Sequence, residues 1–117
     1  MRPSEPDTAL IWDMLQAARY IVEFVRDVKW SRFEGDRMLR SAVERQVMII
    51  GEAARKISVA FRAAHPEIGW KGMIGQRNVL AHEYGEVLVE RVWLMATLDA
   101  PALIRLLEPL VPAEDKA

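Results

Sequence analysis

Apolar residues recur at three- and four-residue steps along most of the chain, which is the period of an amphipathic α-helix. The first stripe starts at Leu10 and predicts a helix from an N-cap at Asp7 to about Asp27. After a short connection over residues 31–36, a second stripe predicts the longest helix, capped by Asp36 and continuing to about residue 64. Two striped helices with a short connection should pack as an antiparallel pair.

The second half of the chain also has a helical pattern. Pro66 ends the second helix at His65, because a residue that precedes proline is disfavoured in the α conformation. In the turn-rich stretch that follows, Ile68 and Trp70 are predicted to be buried anchors. A third helix carries the polar residues near position 80, and a fourth stripe runs from residue 87 to residue 110, with a break or kink near Asp99.

These patterns predict an all-α protein, a bundle of four or five helices with an antiparallel up-down core. The 117 residues suit a single domain, with an ordered core over about residues 7–110. Strand alternation and internal repeats are absent from the sequence.

The amino-acid composition limits the functions that this chain can have. The formal net charge is −1, although twelve of the sixteen basic residues are Arg, so binding to RNA would need a local Arg patch, which dimerisation could double. The chain has no Cys, which excludes thiolate chemistry and disulfides. It has neither an apolar run of about 18 residues nor a signal-peptide core, so we expect a cytoplasmic protein with no membrane segment.

Common cofactor motifs are also absent from the sequence. The two His residues lie seventeen positions apart and no His-Glu-x-x-His motif occurs, so no metal site is predicted. Neither the Walker pattern nor Gly-x-Gly-x-x-Gly is present, so no phosphate-binding loop is predicted.

The richest chemistry lies in the segment Gly-Gln-Arg-Asn-Val-Leu-Ala-His-Glu-Tyr-Gly, residues 75–85. On a helix, Asn78 and His82 share a face, and Arg77 and Tyr84 share a neighbouring one. Arg77 and His82 diverge by about 140°, which suggests that a partner chain completes the site. An Arg fork binds phosphate oxygens, and a His with a pKa near ~6.5 can accept or donate a proton, so the pair suits metal-independent RNA cleavage by transesterification.

The spacing alone leaves a purely structural interpretation open. His82 could bond Asn78, and Arg77 could pair with Glu83 or Glu86.

Gly51 and Glu52 lie in the middle of the predicted second helix. A mid-helix Gly costs about 1 kcal/mol relative to Ala, and its usual reason is the close approach of another helix. Glu52 is then either a surface carboxylate beside a packing glycine or a residue that lines the site.

Three blocks occur in order: Ile49-Ile-Gly-Glu-Ala-Ala54, His65-Pro-Glu-Ile-Gly-Trp70, and the run from Gly75 to Tyr84. Together they resemble the HepT-like ribonucleases of the HEPN superfamily, which are toxins of bacterial and archaeal toxin–antitoxin pairs. With the helical pattern, the resemblance covers about residues 7–110.

The resemblance implies roles for particular residues. The family's Arg-x4-His-x-Tyr motif matches Arg77, His82 and Tyr84, which makes Arg77 and His82 the candidate catalytic residues. Asn78 matches the polar residue that commonly follows the Arg, and with Glu52 it is expected to support the site.

The resemblance also implies partners. It predicts a homodimer whose two motifs face a shared cleft and cut RNA (tRNA or mRNA) without a metal or another cofactor. The antitoxin would be a minimal nucleotidyltransferase of the MntA type, which uses ATP to attach AMP to Tyr84. Two alternatives remain: a catalytically inactive RNA- or nucleotide-binding HEPN module, and a helical dimer or adaptor protein.

Overall fold

The computed structural model of this chain describes residues 1–82 and 88–112, with the backbone alone at position 82. All regular structure in these ranges is helical, which confirms the predicted all-α class. The α-helices are α1 (Pro6–Phe24), α2 (Trp30–Gly35), α3 (Arg37–Lys56), α4 (Val59–Ala64), α5 (Trp70–His82), α6 (Val89–Leu94) and α7 (Ala100–Leu107). A π-helical turn, Met95–Asp99, joins α6 directly to α7, and a 3-10 turn, Glu108–Leu110, follows. No helix in the described ranges has both the length and the apolar character needed to cross a membrane.

Four long helices form the bundle: α1, α3, α5 and the continuous α6–α7 helix. Helix α3 packs against both α1 and α5, and α7 packs against α1. The Asp7 carboxylate, at the start of α1, accepts hydrogen bonds from Ser58, just after the end of α3, so these two helices run antiparallel as predicted. Fully buried apolar side chains fill the space between the helices, among them Ile11, Met14, Leu15, Ile21, Val43, Ile57, Ile68, Val92 and Leu107.

The ends of α1 differ from the prediction. Glu5, not Asp7, is the N-cap, and its carboxylate accepts a hydrogen bond from the Thr8 backbone N–H at 2.7 Å. The helix ends at Phe24 rather than near Asp27, because Asp27 has a φ of 58°, which a right-handed helix cannot include.

The predicted second helix is interrupted. Asp36 caps it as expected, accepting from the Leu39 N–H at 3.0 Å, but α3 ends at Lys56 and Ile57 is extended. Ser58 then caps the short helix α4 by accepting from the Phe61 N–H at 3.1 Å. The apolar period continues across the break because Ile57 is buried, which is why the pattern alone suggested one helix.

Residues 31–36 were predicted to be a connection, and this was wrong. They lie largely in α2, whose Phe33 is fully buried and contacts the Trp93 ring at a centroid distance of 4.9 Å. A helix of six residues is too short to show a repeating apolar stripe.

Near Asp99 the predicted irregularity takes the form of the π-helical turn. Asp99 itself is helical and makes no side-chain capping bond. Pro101 follows in the first turn of α7; it lacks an N–H and would crowd the carbonyl four residues earlier. A π turn at this point relieves that conflict without ending the helix. Val87, which starts the predicted stripe, lies outside the described residues.

Candidate functional site

Gly51 allows α3 and α5 to approach closely, as the sequence predicted. A Cβ added at Gly51 would lie 2.2 Å from the Arg77 Cβ and 2.8 Å from the Met73 carbonyl oxygen. Any larger residue would therefore push α5 away from α3. The glycine places the base of the Arg77 side chain directly against α3.

The contact brings Arg77 to Glu52, the residue next to Gly51. The Arg77 Nε lies 2.9 Å from the Glu52 Oε2, an ion pair in which the N–H does not point well at the oxygen. The Arg77 Nη1 donates to the Asn78 Oδ1 at 3.2 Å. Nη2 makes no hydrogen bond within the described ranges, so one edge of the guanidinium remains available to an anion.

Burial differs across this ion pair. The Arg77 side chain is 22% exposed and the Glu52 side chain 38%, although the Nε and Oε2 atoms that face each other are shielded from water. Glu52 also lies 3.3 Å from Arg55 on its own helix. One carboxylate is thus shared by two guanidinium groups, which leaves the cluster with a net positive charge.

Helix α5 is held at two further points. At its first residue, the Trp70 indole N–H donates to the His65 carbonyl at 3.0 Å, and Trp70 and Ile68 are buried, as predicted. Midway along, the Gln76 amide donates to the Asp99 carboxylate at 3.0 Å, which ties α5 to the π-helical turn. These contacts fix the helix that carries Arg77.

The structure brings three of the five predicted site residues together: Arg77, Asn78 and Glu52. Position 82 is the last residue of α5, and the His82 side chain and Tyr84 lie outside the described residues. The alternative partners of Arg77 suggested by the sequence, Glu83 and Glu86, lie outside them too. The catalytic roles of Arg77 and His82 therefore stay predictions. His65 ends α4, as predicted, with its Nδ1 3.3 Å from Glu67.

A groove beside Arg77 was not predicted. Arg77 lines a depression of about 460 Å³ between α1 and α3, and the other lining residues include Trp12, Tyr20, Arg45 and Lys56. One hint of this groove is present in the sequence, since Trp12 and Tyr20 fall off the apolar stripe of α1. The contribution of α3 could have been inferred from the spacing of Arg45, Glu52 and Lys56, which recur on one side of the helix.

Comparison with known proteins gives a family match over most of the chain. The family described as "Ribonuclease HepT-like" matches residues 14–110, which include Glu52, Arg77 and His82. A Methanocaldococcus jannaschii protein provisionally described as an RNase is 37% identical over 95 residues, covering 81% of this chain and 87% of the relative.

Two further relatives are also described as ribonucleases. A Thermococcus cleftensis protein named "Probable ribonuclease HepT" is 37% identical over 91 residues, covering 78% of this chain and 83% of its own length. A provisionally described RNase of Caldanaerobacter subterraneus subsp. tengcongensis is 30% identical over 101 residues, covering 86% of this chain and 90% of the relative. No solved structure gave a significant match.

Proposed function

The chain belongs to the HepT-like ribonuclease family, and on that basis we propose that it is a metal-independent endoribonuclease that acts as the toxin of a toxin–antitoxin pair. Arg77 and His82 are the proposed catalytic residues. Glu52 and Asn78 are proposed to position Arg77, and Tyr84 to be the site of inhibition by AMP.

One observation carries the proposal: the family match spans the helix on which Arg77 and His82 lie five positions apart. The geometry of Arg77 supports it. Its Nε and Nη1 face Glu52 and Asn78, while Nη2 has no hydrogen bond in the described part of the chain. A guanidinium oriented in this way can bind a phosphate oxygen and stabilise the charge that builds on phosphorus during attack.

The proposed reaction is an internal transesterification. The 2′-hydroxyl of the RNA loses its proton to an imidazole and its oxygen attacks the adjacent phosphorus. The bond from phosphorus to the 5′-oxygen breaks, and that oxygen accepts a proton from an imidazolium. The products are a 2′,3′-cyclic phosphate and a free 5′-hydroxyl, and the step requires neither water nor an electron donor.

Two imidazoles serve this reaction better than one, because one must begin neutral and the other protonated. A homodimer supplies both. Residues 77 and 82 diverge around a helix, so a second protomer facing the first can bring an Arg and a His to the same phosphate. We therefore place the cleavage site at a dimer cleft.

The proposed antitoxin is a minimal nucleotidyltransferase of the MntA type that uses ATP. Transfer of AMP joins its phosphorus to the Tyr84 oxygen and releases pyrophosphate. The modified tyrosine, seven residues from Arg77, would carry bulk and negative charge to the surface that an RNA phosphate must reach.

The cleavage proposal is tested with purified full-length protein and labelled RNA in EDTA. We expect wild type to cleave, and Arg77→Ala and His82→Ala each to lose at least about 100-fold in rate while keeping the helical circular-dichroism spectrum. Arg105→Ala, an exposed arginine on α7, is the matched control and should cleave normally. Equal cleavage by all variants would refute the assignment of both residues.

The same experiment separates the two alternative functions. Binding of RNA by wild type without cleavage would identify an inactive RNA-binding module. A dimer that neither binds nor cleaves RNA would identify a helical adaptor.

The inhibition proposal has its own test. Incubation with an MntA-type nucleotidyltransferase and ATP should add mass in AMP-sized steps and reduce RNA cleavage. Tyr84→Phe, which lacks only the acceptor hydroxyl, should gain no mass and stay active. The same mass gain on Tyr84→Phe, or on the exposed Tyr20 instead, would rule out Tyr84 as the target.

A further inference from the structure

The groove beside Arg77 is lined mainly by residues of α1 and α3. Its volume is about 460 Å³, and its floor includes the buried Ala17 and Ala53. Trp12 and Tyr20, both on α1, line it eight residues apart, which corresponds to about 12 Å along a helix. The groove is long enough to hold more than a single phosphate.

Tyr20 presents an aromatic surface to solvent. The residue is 51% exposed, although aromatic side chains in an α-helix usually pack inward. Phe24 supports the ring at a centroid distance of 6.1 Å and an interplanar angle of 21°. The ring is therefore held in place while much of the residue stays open to a ligand.

Trp12 provides the groove with a second aromatic ring, eight residues before Tyr20 on α1. Its indole N–H is shielded from water and has no acceptor within the described residues. An unsatisfied N–H of this kind destabilises the free protein, because nothing replaces the hydrogen bond that it would make to water. Trp12 also lines the groove, so a base that enters the groove can pack against the indole ring.

The charged residues of the groove favour an anionic ligand. Of its two carboxylates, Asp13 is held by Arg2 at 2.8 and 2.9 Å, and Glu52 by Arg77. Two exposed cations at the groove, Arg45 and Lys56, have no carboxylate within ion-pair distance among the described residues. A chain with a formal net charge of −1 thus has unpaired positive charge along this groove.

From these observations we propose that the α1–α3 groove is a subsite for single-stranded RNA, in which a nucleobase stacks on Tyr20 and a second contacts Trp12. Arg45 and Lys56 contact the phosphates that flank the one at Arg77. The proposal rests on the proposed function, since it takes RNA as the ligand of Arg77, and it extends that function by naming the residues that bind the strand beyond the cleaved bond.

Single-stranded RNA suits this groove better than a second copy of the chain. A protein interface is usually depleted in Lys at its centre, whereas aromatic rings between cations are the usual arrangement for unpaired bases and their phosphates. A base-paired duplex fits less well, because its bases are stacked on each other and cannot reach the two rings.

The test measures RNA binding by full-length protein carrying His82→Ala, which prevents cleavage, with fluorescein-labelled oligouridylate and oligoadenylate as probes. Tyr20→Ala should raise the Kd by about 5- to 150-fold, the effect of losing one base–aromatic stack. Tyr20→Phe keeps the ring and should bind within about twofold of the parent. The Tyr20 site is exposed, so Tyr20→Ala should fold normally, which circular dichroism checks.

A second arm tests the phosphate contacts. Arg45→Gln should reduce the slope of log Kd against log salt by about 0.7, the value for one lost contact with a single strand. Arg105→Gln, on the exposed side of α7, should leave the slope unchanged. Similar slopes for both variants would overturn the role of Arg45.

Two outcomes would overturn the subsite as a whole. One is an equal Kd for Tyr20→Ala and Tyr20→Phe. The other is a Tyr20→Ala protein whose Kd per protomer is unchanged but whose dimer dissociates in light scattering. That result would show that a second copy of the chain occupies the groove. Weaker binding by Tyr20→Ala with no cleavage by wild type would support the subsite and refute the proposed enzyme, so the two failures are distinguishable.

Discussion

Arg77 owes its position to residues on two helices. Gly51 allows its backbone to approach α3, Glu52 faces its Nε and Asn78 accepts from its Nη1. Glu52 is the partner that the sequence left ambiguous between a surface role and a site role, and it lies at the site, 2.9 Å from Arg77.

Removing the charge of Glu52 should affect the rate of RNA cleavage more than the free energy of unfolding. Glu52→Gln loses the attraction that orients the guanidinium, and we expect the rate constant of the cleavage step to fall by about tenfold, the effect of one weakened charge-assisted contact of ~1.4 kcal/mol. Glu52→Asp should recover part of the rate because it keeps the charge. Single-turnover cleavage measures both variants.

Glu23→Gln, on the exposed side of α1, serves as the matched control and should keep the wild-type rate. If Glu52→Gln cleaved as fast as Glu23→Gln, a positioning role for Glu52 would be ruled out.

At the scale of single residues, the sequence predicted why a glycine lies at position 51, but it did not predict which carboxylate pairs with Arg77. A glycine inside a strong apolar stripe indicates a close helix contact by itself. The pairing of Arg77 with Glu52 depends on how far α5 is shifted along α3, and that register is a property of packing between segments 25 residues apart.

At the scale of elements, the α3–α5 contact gives a paired prediction on two glycines. Gly51→Ala should lower the free energy of unfolding by about 1–3 kcal/mol, because the new methyl group would overlap the Arg77 Cβ and the Met73 carbonyl. Gly75→Ala, within α5, meets nothing within 4 Å and should raise it by about 0.5–1 kcal/mol. Urea denaturation monitored by circular dichroism measures both.

Both variants add one methyl group to a glycine within a helix, and only the atoms that surround the methyl group differ. A Gly51→Ala protein as stable as the Gly75→Ala protein would show that α5 does not rest against α3 at this point.

The joint between α1 and the α3–α4 turn should depend on pH. Hydrogen bonds from the Ser58 hydroxyl and N–H lower the pKa of Asp7. A lowered folded-state pKa means that this carboxylate stabilises the fold fully above its unfolded value of ~3.9, and that the contribution is lost as the pH falls through the folded pKa. Asp7→Asn should therefore lower the Tm at pH 7 more than at pH 3.

A double-mutant cycle isolates the contact. In a Ser58→Ala background, the effect of Asp7→Asn on the Tm should change less with pH, because the hydroxyl bond that contributes most to the pKa shift is gone. A Tm loss from Asp7→Asn that is the same at both pH values in the protein that keeps Ser58 would contradict the assignment.

The helices themselves show what an apolar period can and cannot predict. The long helices α1 and α3 were predicted from their apolar patterns, and Asp36 from its capping position. Helix α5 was predicted only as the helix that carries the polar residues near position 80. The interruption at Ser58 was missed because Ile57 and Phe61 keep the period across it, and α2 was missed because its one buried residue, Phe33, gives no period at all. Both depend on contacts with other helices.

At the scale of the whole molecule, one connected group of buried apolar side chains joins α1, α3, α5 and the α6–α7 helix. Such a core predicts a single cooperative unfolding transition, in keeping with the single domain expected from the sequence. Trp12, Trp30, Trp70 and Trp93 lie on four different helices, so their fluorescence reports on the whole bundle.

Fluorescence and far-ultraviolet circular dichroism should therefore give the same urea midpoint. Two separate midpoints, with fluorescence changing first, would show that part of the bundle unfolds independently.

The glycine at position 51 has a last consequence, for the thermodynamics of RNA binding. Because the base of the Arg77 side chain rests against a helix backbone, its first torsion angle has little freedom before any ligand arrives. A solvent-exposed arginine loses rotational entropy when it binds a phosphate. Arg77 has already lost this entropy during folding, so its binding to RNA should carry a smaller entropic penalty.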